Sequence, residues 1–277
     1  MRHKNGASKR NLRPHIVKQL RRAAKSATLL SALMRHGDAN ALHDIRVQIR
    51  TTSSILQPFL QLDHMKPLRR ALVPLKSWVR KSNSARDVEA QLELIAELLP
   101  EPYPKAVERY LEQARKDMWR RRAALACSKS LRKLPRRMVR LAKAADECLG
   151  PVSTPSLSAV LGSACEELMQ ELRKDCAEGL QDPKRWHKAR LRIKQLRYLI
   201  ENYPEYLDAR YQAFAADTKL AQQNLGRLRD WQNLCVAMAG QAAIAPWLAG
   251  YTGLEDELKL QAGAAMRFLE RKLAAWE

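Results

Sequence analysis

The sequence predicts an all-α protein built from two related halves. Hydrophobic residues make up 46% of its 277 positions, and in most segments they recur every three to four residues, which is the spacing of one helix face. No segment shows the sustained polar–apolar alternation that predicts a half-buried strand. Two charged motifs also recur in the same order at almost the same separation. Because such a repeat indicates an internal duplication, we expect two pseudo-symmetric antiparallel helical bundles that form one compact body.

A segment rich in Gly, Pro and Ser near the middle of the chain is the best candidate for a linker. It covers residues 150–156, a composition that favours turns over helix. We therefore assign residues 14–149 to a first helical half and 157–277 to a second, and expect 14–277 to form one domain. Residues 1–13 carry five lysines and arginines together with Gly and Ser, which predicts a disordered basic arm.

Helical spacing divides the first half into six predicted helices. They are expected at 15–34, around His43, from Pro67, and at 88–99, 105–126 and 135–148. Asn40 is expected to cap the His43 helix. Ser84 and Asp87 have the spacing of a capping box, which would start the next helix at Val88.

Three rows or runs in these helices have predicted directions. The His43 helix is expected to bury the row Leu42, Ile45, Ile49, Thr52 and Leu56. Glu89, Glu93 and Glu97 lie one helical turn apart, and we assign this row to solvent or to bracing of basic rows. The run from Arg120 to Arg122 covers too much of the helix circumference to form one row, so we interpret it as a solvated patch.

The second half repeats this plan. Its helices are predicted at 157–180, 186–203, 209–225, 230–243 and 254–276. Asn83 in the first half and Gly226 in the second occupy matching places in the repeat. Both residue types tolerate the left-handed backbone conformation, so we expect both to end helices.

The most informative helix of the second half carries a row of basic residues. His187, Arg190, Lys194, Arg197 and Glu201 are spaced so that all five fall within an arc of about 80° on one side of the helix. Like charges three and four residues apart repel each other and destabilise an isolated helix. A row of this kind therefore indicates an anionic partner that lies against it.

A second copy of this row occurs in the first half. His43, Arg46 and Arg50 match His187, Arg190 and Lys194 at a separation of 144 residues (187 minus 43). The pairs Arg86-Asp87 and Arg229-Asp230 match at 143 (229 minus 86), and at that same separation Lys76 falls on Lys219. The duplication thus repeats the charged motifs and their order.

These motifs resemble the CHAD family, the conserved histidine α-helical domains. The resemblance rests on the His-x-x-Arg helix in each half, on Lys194-x-x-Arg197-Tyr198-x-x-Glu201, and on the two Arg-Asp pairs. It covers the chain from about Pro14 to Glu277. It implies an all-helical module that binds inorganic polyphosphate.

Phosphate recognition needs cations in fixed positions. Arginine can bind phosphate oxygens with two parallel hydrogen bonds, and lysine acts as a point charge. Basic residues on one helix face are about 5 Å apart along the axis, which suits a repeating polyanion held in a groove between the two halves. The predicted polyphosphate-binding residues are His43, Arg46, Arg50, Arg69, Lys76, Arg80, Arg86, His187, Arg190, Lys194, Arg197, Lys219 and Arg229.

Each of these assignments has a structural alternative. A histidine near a helix start is often a core or capping residue, so His43 and His187 can be structural. An arginine beside an aspartate at a helix start is commonly part of a cap and an ion pair, which lowers Arg86 and Arg229 to second-rank ligands.

The charge balance gives the same class of partner. Lys and Arg number 50 against 29 Asp and Glu, a net charge of +21. Such a field implies a polyanion, nucleic acid or an anionic membrane. Aromatic residues are only 6%, which weighs against a protein that stacks unpaired bases. Binding of nucleic acid stays the alternative function. A third hypothesis is that the protein is a non-catalytic partner that brings phosphate chains to a separate enzyme or storage granule.

No motif for catalysis is present in the sequence. It lacks a phosphate-binding Gly-rich loop, the His-Glu-x-x-His zinc motif and a Gly-x-Ser-x-Gly nucleophile turn. We therefore expect a binding protein without cofactor or metal. The five cysteines are odd in number and lack a Cys-x-x-Cys pair, which predicts reduced core residues of a cytoplasmic protein. The ligand that the family resemblance implies adds polyphosphate granules as an expected location. The most apolar stretch, 234–251, is interrupted by Gln241 and Pro246, so no membrane insertion is expected.

Overall fold

The computed structural model describes residues 11–99, 101–178, 182–242 and 244–276. Across these ranges the chain forms thirteen α-helices and one 3₁₀ helix, with no strand. The first seven are α1 (Leu12–Arg35), α2 (Ala41–Leu56), α3 (Lys66–Lys81), α4 (Asn83–Leu98), α5 (Lys105–Ala126), α6 (Lys129–Arg132) and α7 (Leu134–Leu149), with the 3₁₀ helix (Gln57–Gln61) after α2. The others are α8 (Thr154–Ala177), α9 (Pro183–Asn202), α10 (Ala209–Asp217), α11 (Lys219–Met238), α12 (Ala245–Ala249) and α13 (Thr252–Ala274). The predicted all-α class is confirmed.

The described residues divide into two compact units. Unit 1 takes its residues from Met1–Ser82, Ala123–Glu167 and Arg197–Gln212, and unit 2 from Asn83–Arg122, Leu168–Leu196 and Ala213–Glu277. Each unit therefore draws segments from both predicted halves. The predicted domain boundaries and the pseudo-symmetry of the halves stay predictions.

Unit 1 is organised around four helices in a ring. Helix α1 packs against α2 and α7, and α3 packs against the same two helices. The apolar row predicted for the His43 helix is buried, as expected: Leu42, Ile45, Ile49, Thr52 and Leu56. The ring order places the outer faces of α2 and α3 on one side of this bundle and those of α1 and α7 on the other.

Tyr203, just after α9, fixes the end of that helix to the core of unit 1. It is fully buried, and its hydroxyl donates to the backbone oxygen of Ile55 at 2.8 Å. Its ring meets those of His15 and Phe59. Burial raises the pKa of Tyr203 well above its ordinary value, so the phenol remains a neutral hydrogen-bond donor.

In unit 2, a buried carboxylate joins α8 to α9. Asp175 is 2% exposed, and it accepts a hydrogen bond from Arg192 Nε at 3.0 Å and another from Arg185 Nη1 at 3.4 Å. Arg192 also pairs with Glu171 at 2.7 Å. Because a buried charge is stable only when it is paired, these contacts fix which face of α9 turns toward α8.

The acidic residues of α4 form ion pairs with arginines, which was one of the two predictions for this row. Glu89 pairs with Arg122 at 2.7 Å and with Arg86 at 3.3 Å. Glu93 pairs with Arg86 at 3.0 Å, and Glu97 pairs with Arg227.

The prediction that Arg120, Arg121 and Arg122 form one solvated patch was wrong for the last of them. Arg122 is 4% exposed and its guanidinium also lies 5.0 Å from the centre of the Trp119 ring. Arg120 and Arg121 are exposed and pair with Asp117. The residue pattern did not show that the Glu89 carboxylate, on another helix, would pair with only one of the three.

Two predicted helix starts differ from the structure, and Asn40 lies at the predicted N-cap position of α2 without capping it through its side chain. Helix α1 begins at Leu12, so the last two residues of the predicted basic arm are helical, and residues 1–10 lie outside the described residues. The Asn40 side chain makes no capping hydrogen bond to α2, whose first amide, on Ala41, donates to Asp38 Oδ1 at 2.8 Å. Helix α4 begins at Asn83, which leaves no capping box at Ser84.

Neither Asn83 nor Gly226 ends a helix. Helix α11 runs unbroken through Gly226, and the chain changes from α10 to α11 at Thr218. Among the described residues, positive φ angles occur only at Gly37 and His64. Gly226 therefore has a different reason to be glycine, which its neighbours in unit 2 explain.

We predict that Arg122→Ala destabilises the protein by about 1.5 to 3 kcal/mol, because it removes a charged hydrogen bond and leaves Glu89 half-buried with only Arg86. The free energy of unfolding in urea measures this. The matched change Arg120→Ala removes an exposed pair at 3.6 Å and should alter that free energy by less than about 0.5 kcal/mol. Equal effects of the two changes would show that the Arg122 contact does not stabilise the fold.

Candidate functional site

The basic helix α9 carries two sets of cations in unit 2, and only one of the sets is paired with carboxylates. Arg185 and Arg192 turn toward α8, where carboxylates neutralise them. His187, Arg190 and Lys194 lie on a different part of the helix circumference. The spacing in the sequence correctly placed His187, Arg190 and Lys194 on one face of the helix. It did not show that Arg185 and Arg192 would pair with carboxylates.

Gly226 lets Arg190 lie directly against α11. A Cβ atom at position 226 would be 3.2 Å from Arg190 Nε and 3.5 Å from its Nη2. The lower distance is tighter than ordinary van der Waals contact, so a Cβ here would require the guanidinium to shift by a few tenths of an ångström. This close approach is the physical reason for a glycine in the middle of a helix.

The contact leaves Arg190 without a strong hydrogen-bond acceptor. Its Nε is buried and has no hydrogen-bond partner among the described residues. No carboxylate of the described chain lies within ion-pair distance of it. The guanidinium is thus positioned by packing, and its charge is not cancelled by a direct ion pair.

Asp230 lies one turn after Gly226 on α11, and cations of its own and of neighbouring helices act on its carboxylate. Desolvation raises the pKa of its carboxyl above the ordinary value, and the nearby cations oppose that shift. Those cations are Arg190, Arg86, Lys194 and Arg229. We call these four residues, with His187 and Asp230, the unit 2 cluster. Even when Glu89 and Glu93, which pair with Arg86, are counted with Asp230, three carboxylates face four cations, so the cluster keeps a net positive charge.

His187 is exposed and its protonation depends on the same cluster. Desolvation lowers the pKa of its imidazole, and Arg229 and Arg190 lower it further. A like charge disfavours the protonated ring, so the free protein holds His187 more readily in its neutral form. An anion bound beside it would reverse this effect.

The other cations predicted for the second motif differ in their surroundings. Arg86 is held by Glu89 and Glu93, which fix its position in the cluster. Arg229 is exposed, as is Lys219 at the start of α11, and Lys219 is not among the cations that act on Asp230. Arg197, in unit 1, donates to Glu201 at 2.6 Å, which matches the predicted place of Glu201 in the row.

Arg46, the first-half counterpart of Arg190, is buried. It is 4% exposed, and its Nη1 donates to the backbone oxygen of Val79 at 2.9 Å and to Ser82 Oγ at 2.5 Å. Ser82 directly precedes Asn83, the residue that matches Gly226 in the repeat. Both repeated arginines therefore pack at the same point of the duplicated motif. A ligand role for Arg46 stays a prediction, and its contacts show that it holds α2 to the end of α3.

The remaining predicted cations of unit 1 form an exposed row on α2 and α3. Its members are His43, Arg50, Arg69, Lys76 and Arg80, and we call them the α2/α3 row. Arg69 Nη1 donates to the backbone oxygen of Leu60 at 2.5 Å. Arg69 and Lys76 line an open cleft of about 440 Å³ beside the 3₁₀ helix, together with Gln57 and Gln61. These groups are all donors or potential donors to an anion.

In the described ranges, no group of three or more His, Cys, Asp or Glu residues is arranged to hold a metal ion. Burial raises the pKa of the Cys165 and Cys176 thiols to about 12, which makes them unreactive. The prediction that all cysteines are core residues was wrong for Cys127, which is exposed, while Cys235 is half-buried. No described helix has the length and hydropathy needed to cross a bilayer.

Comparison with known proteins agrees with this architecture. The sequence model of the CHAD domain matches residues 15–237. The crystal structure of the CHAD domain from the plant Ricinus communis superposes with a TM-score of 0.72 at 19% sequence identity, covering 96% of this chain and 92% of that chain. At that identity the similarity shows the fold alone. No curated protein sequence matches the chain. The resemblance noted in the sequence is confirmed, and the chain belongs to the CHAD domain family.

Proposed function

We propose that this protein binds inorganic polyphosphate without transforming it. The observation that carries the proposal is the unit 2 cluster, in which the charges of Arg86, Arg190, Lys194 and Arg229 all act on the carboxylate of Asp230. Cations held this close repel one another unless an anion lies among them. A polyphosphate chain offers a negative charge at each repeating unit, and it can meet several of these cations at once.

Arg190 is the cation of the cluster best suited to a phosphate oxygen. Its guanidinium has a fixed position on Gly226 and no direct ion pair in the described part of the chain. An arginine that is already positioned loses less side-chain freedom when it binds an anion. Its terminal nitrogens can then make paired hydrogen bonds to two phosphate oxygens.

The α2/α3 row supports the same ligand class in unit 1. Arg69, Lys76 and Arg80 are exposed at i, i+7 and i+11 on α3. These intervals correspond to roughly 10 Å and 6 Å along the helix axis. A ladder of cations on that scale suits an extended polyanion better than a single phosphate ion.

A binding role without catalysis fits the carboxylates in the unit 2 cluster and those that pair with its Arg86. Glu89 and Glu93 are paired with arginines, and Asp230 is surrounded by cations. Phosphoryl transfer needs a nucleophile or metal-binding carboxylates, and these acids serve instead to position cations. We infer a cytoplasmic protein that associates with polyphosphate granules. Nucleic acid is the alternative ligand, which the net charge of +21 favours.

Competition separates the two ligands. Long polyphosphate should displace the protein from RNA and from duplex DNA at equal phosphate concentration and equal salt, because the positioned cations favour a slim chain. The double variant Arg190→Ala, Lys194→Ala should reduce the slope of log affinity against log salt by roughly 1.4, as each lost phosphate contact releases about 0.7 fewer counterions.

The control for this experiment is Arg120→Ala, an exposed cation outside the unit 2 cluster. It should leave both the affinity and the salt slope nearly unchanged. Equal losses from Arg120→Ala and Arg190→Ala would favour diffuse surface binding. A preference for RNA or DNA over polyphosphate would favour the nucleic-acid alternative.

Gly226→Ala tests whether the position of Arg190 matters. The new Cβ would meet Arg190 Nε at 3.2 Å and shift the guanidinium. A charge-assisted hydrogen bond contributes about 1.5 to 3 kcal/mol, so polyphosphate affinity should fall, with the roughly tenfold or greater loss of Arg190→Ala as its limit. The backbone itself should not suffer, because alanine favours a helix interior by about 0.5 to 1 kcal/mol over glycine.

The matched control is Gly162→Ala, a helical glycine of α8 with nothing within 4 Å of its Cβ position. It should leave affinity unchanged, since it displaces no arginine. Affinity can be measured by isothermal titration calorimetry and the fold by thermal unfolding. An unaltered affinity in Gly226→Ala, with the fold intact, would contradict a role for the Gly226–Arg190 contact.

The pH dependence tests His187. Its pKa is lowered in the free protein and should rise when a polyanion lies beside it, so binding should take up protons. A group whose pKa is higher in the complex strengthens binding as the pH falls through that range, here from about 8 toward 6. His187→Gln should reduce this dependence and the proton uptake. Long chains are required because their few terminal phosphates titrate in the same range. A full pH dependence in His187→Gln would assign His187 a structural role.

A further inference from the structure

Unit 1 has a second basic surface that lies outside the predicted site. Lys18, Arg22 and Lys25 are exposed on α1, and Arg136 and Arg140 are exposed on α7. On each helix their spacing of three or four residues places them on the face opposite to the buried residues. We call these five residues the α1/α7 face.

The two helices bring these cations together into one patch. Asp146 on α7 pairs with Arg13 at 2.6 Å and with Arg21 at 3.1 Å, both on α1. Gly150, just after α7, also lies against Arg13, so the two helices are antiparallel. Arg140 and Arg136, six and ten residues before Asp146, therefore lie level with the middle of α1, near Arg22 and Lys25. Packed helices have axes about 8 to 10 Å apart, so the two basic rows run side by side.

The charge of this face is not neutralised by the protein. No ion pair joins any of its five cations to a carboxylate in the described ranges. The two nearest acids of α7 are occupied, Asp146 by Arg13 and Arg21, and Glu147 by Lys143 at 3.7 Å. A patch of exposed like charges of this density favours a bound polyanion.

The α1/α7 face and the α2/α3 row lie on opposite sides of the four-helix ring. This follows from the packing order, in which α1 and α7 are neighbours and α2 and α3 are neighbours. Each helix with its side chains is about 10 to 12 Å across, so two layers separate the basic surfaces by roughly 20 Å. A short anion on one side cannot contact the other.

We propose that the α1/α7 face binds a second polyphosphate chain in unit 1, so that unit 1 holds one chain on each side and can cross-link long chains. The proposal rests on the proposed function of the α2/α3 row. Bivalent binding gathers chains into a network without requiring any new contact between protein molecules. Such a network would explain in physical terms how binding leads to the formation of a granule.

The chemistry of the face favours this ligand over other polyanions. Helices α1 and α7 contain no Phe, Tyr or Trp, so the face has no platform on which bases could stack. Three large apolar residues are exposed there, Leu29 and Leu33 on α1 and Val139 on α7, which is too little apolar surface to insert into a lipid bilayer. Phosphate charge alone is what the face can recognise.

The test compares two variants with equal changes of charge. The first carries Lys18→Glu, Arg22→Glu, Arg136→Glu and Arg140→Glu on the α1/α7 face. The control carries Lys105→Glu, Arg109→Glu, Arg115→Glu and Arg120→Glu, which are exposed positions on α5 in unit 2. Circular dichroism and thermal unfolding establish that both variants fold. Purified polyphosphate of short and of long defined length is the ligand.

With short chains, sedimentation should show one bound chain fewer per protein in the α1/α7 variant than in the wild type and the control. With long chains, light scattering of the wild type and control should rise and then fall as polyphosphate comes into excess, because each protein then holds separate chains. The α1/α7 variant should form only small complexes.

Other results would overturn the inference in distinguishable ways. Unchanged stoichiometry and scattering in the α1/α7 variant would remove the second site while leaving the proposed function intact. Absence of polyphosphate binding in the wild type would remove the proposed function itself. Loss of binding to anionic vesicles or to duplex RNA, with polyphosphate stoichiometry unchanged, would assign the face to that other partner.

Discussion

The constraint on which this structure depends is that a large excess of positive charge must be held in fixed positions without being cancelled. The net charge is +21, and self-repulsion of that size opposes a compact state. The described chain meets this constraint with carboxylates that each pair with two arginines. They are Asp146 with Arg13 and Arg21, Glu89 with Arg86 and Arg122, Asp117 with Arg120 and Arg121, and Asp175 with Arg185 and Arg192. The Asp146 and Asp117 groups each keep one surplus positive charge while their arginines are held in place. In the other two groups further carboxylates pair with the arginines, Glu93 with Arg86, and Glu171 and Glu178 with Arg192 and Arg185, so the arginines are both positioned and neutralised.

The stabilising value of these groups follows their burial. Asp175 and Arg122 are deeply buried, and for such groups the loss of one partner leaves a charge or a polar group without compensation. The exposed pairs of Asp117 contribute little, since solvent and salt screen them. A carboxylate paired with two arginines therefore has two effects. It stabilises the core where it is buried, and it orients cations where it is exposed.

Arg190 is positioned in a different way, by packing against Gly226 rather than by a carboxylate. A carboxylate within ion-pair distance would compete with a ligand for the guanidinium, whereas contact with a glycine does not. The pKa of His187 responds to this arrangement, because Arg190 and Arg229 both disfavour its protonated form. A cluster held mainly by packing keeps more of its field available to an anion.

Sequence reasoning succeeded where one helix contains all the information. The buried row of α2 and the spacing of Arg69, Lys76 and Arg80 follow from a period of 3.6 residues and are found as expected. It failed where a residue type has two physical uses. Glycine permits both a left-handed helix end and a close approach, and the deciding neighbour of Gly226 lies on another helix. The same is true of Arg122, whose burial depends on Glu89 in α4.

The two copies of the His-x-x-Arg motif show how one register can lead to two roles. In the first copy α3 ends at Lys81. At this end of the helix, Arg46 donates hydrogen bonds to the backbone oxygen of Val79 and to the hydroxyl oxygen of Ser82. Helix termini leave carbonyl oxygens without helical partners, so an arginine packed there becomes part of the core.

In the second copy α11 continues through the matching position, and its carbonyl oxygens are used by the helix itself. Arg190 therefore finds no acceptor for its Nε in the described part of the chain and rests on Gly226. A phosphate oxygen would supply the acceptor that its terminal nitrogens lack in the unit 2 cluster. The difference between a helix that ends and a helix that continues thus gives Arg46 hydrogen bonds within the core and leaves Arg190 the better candidate ligand.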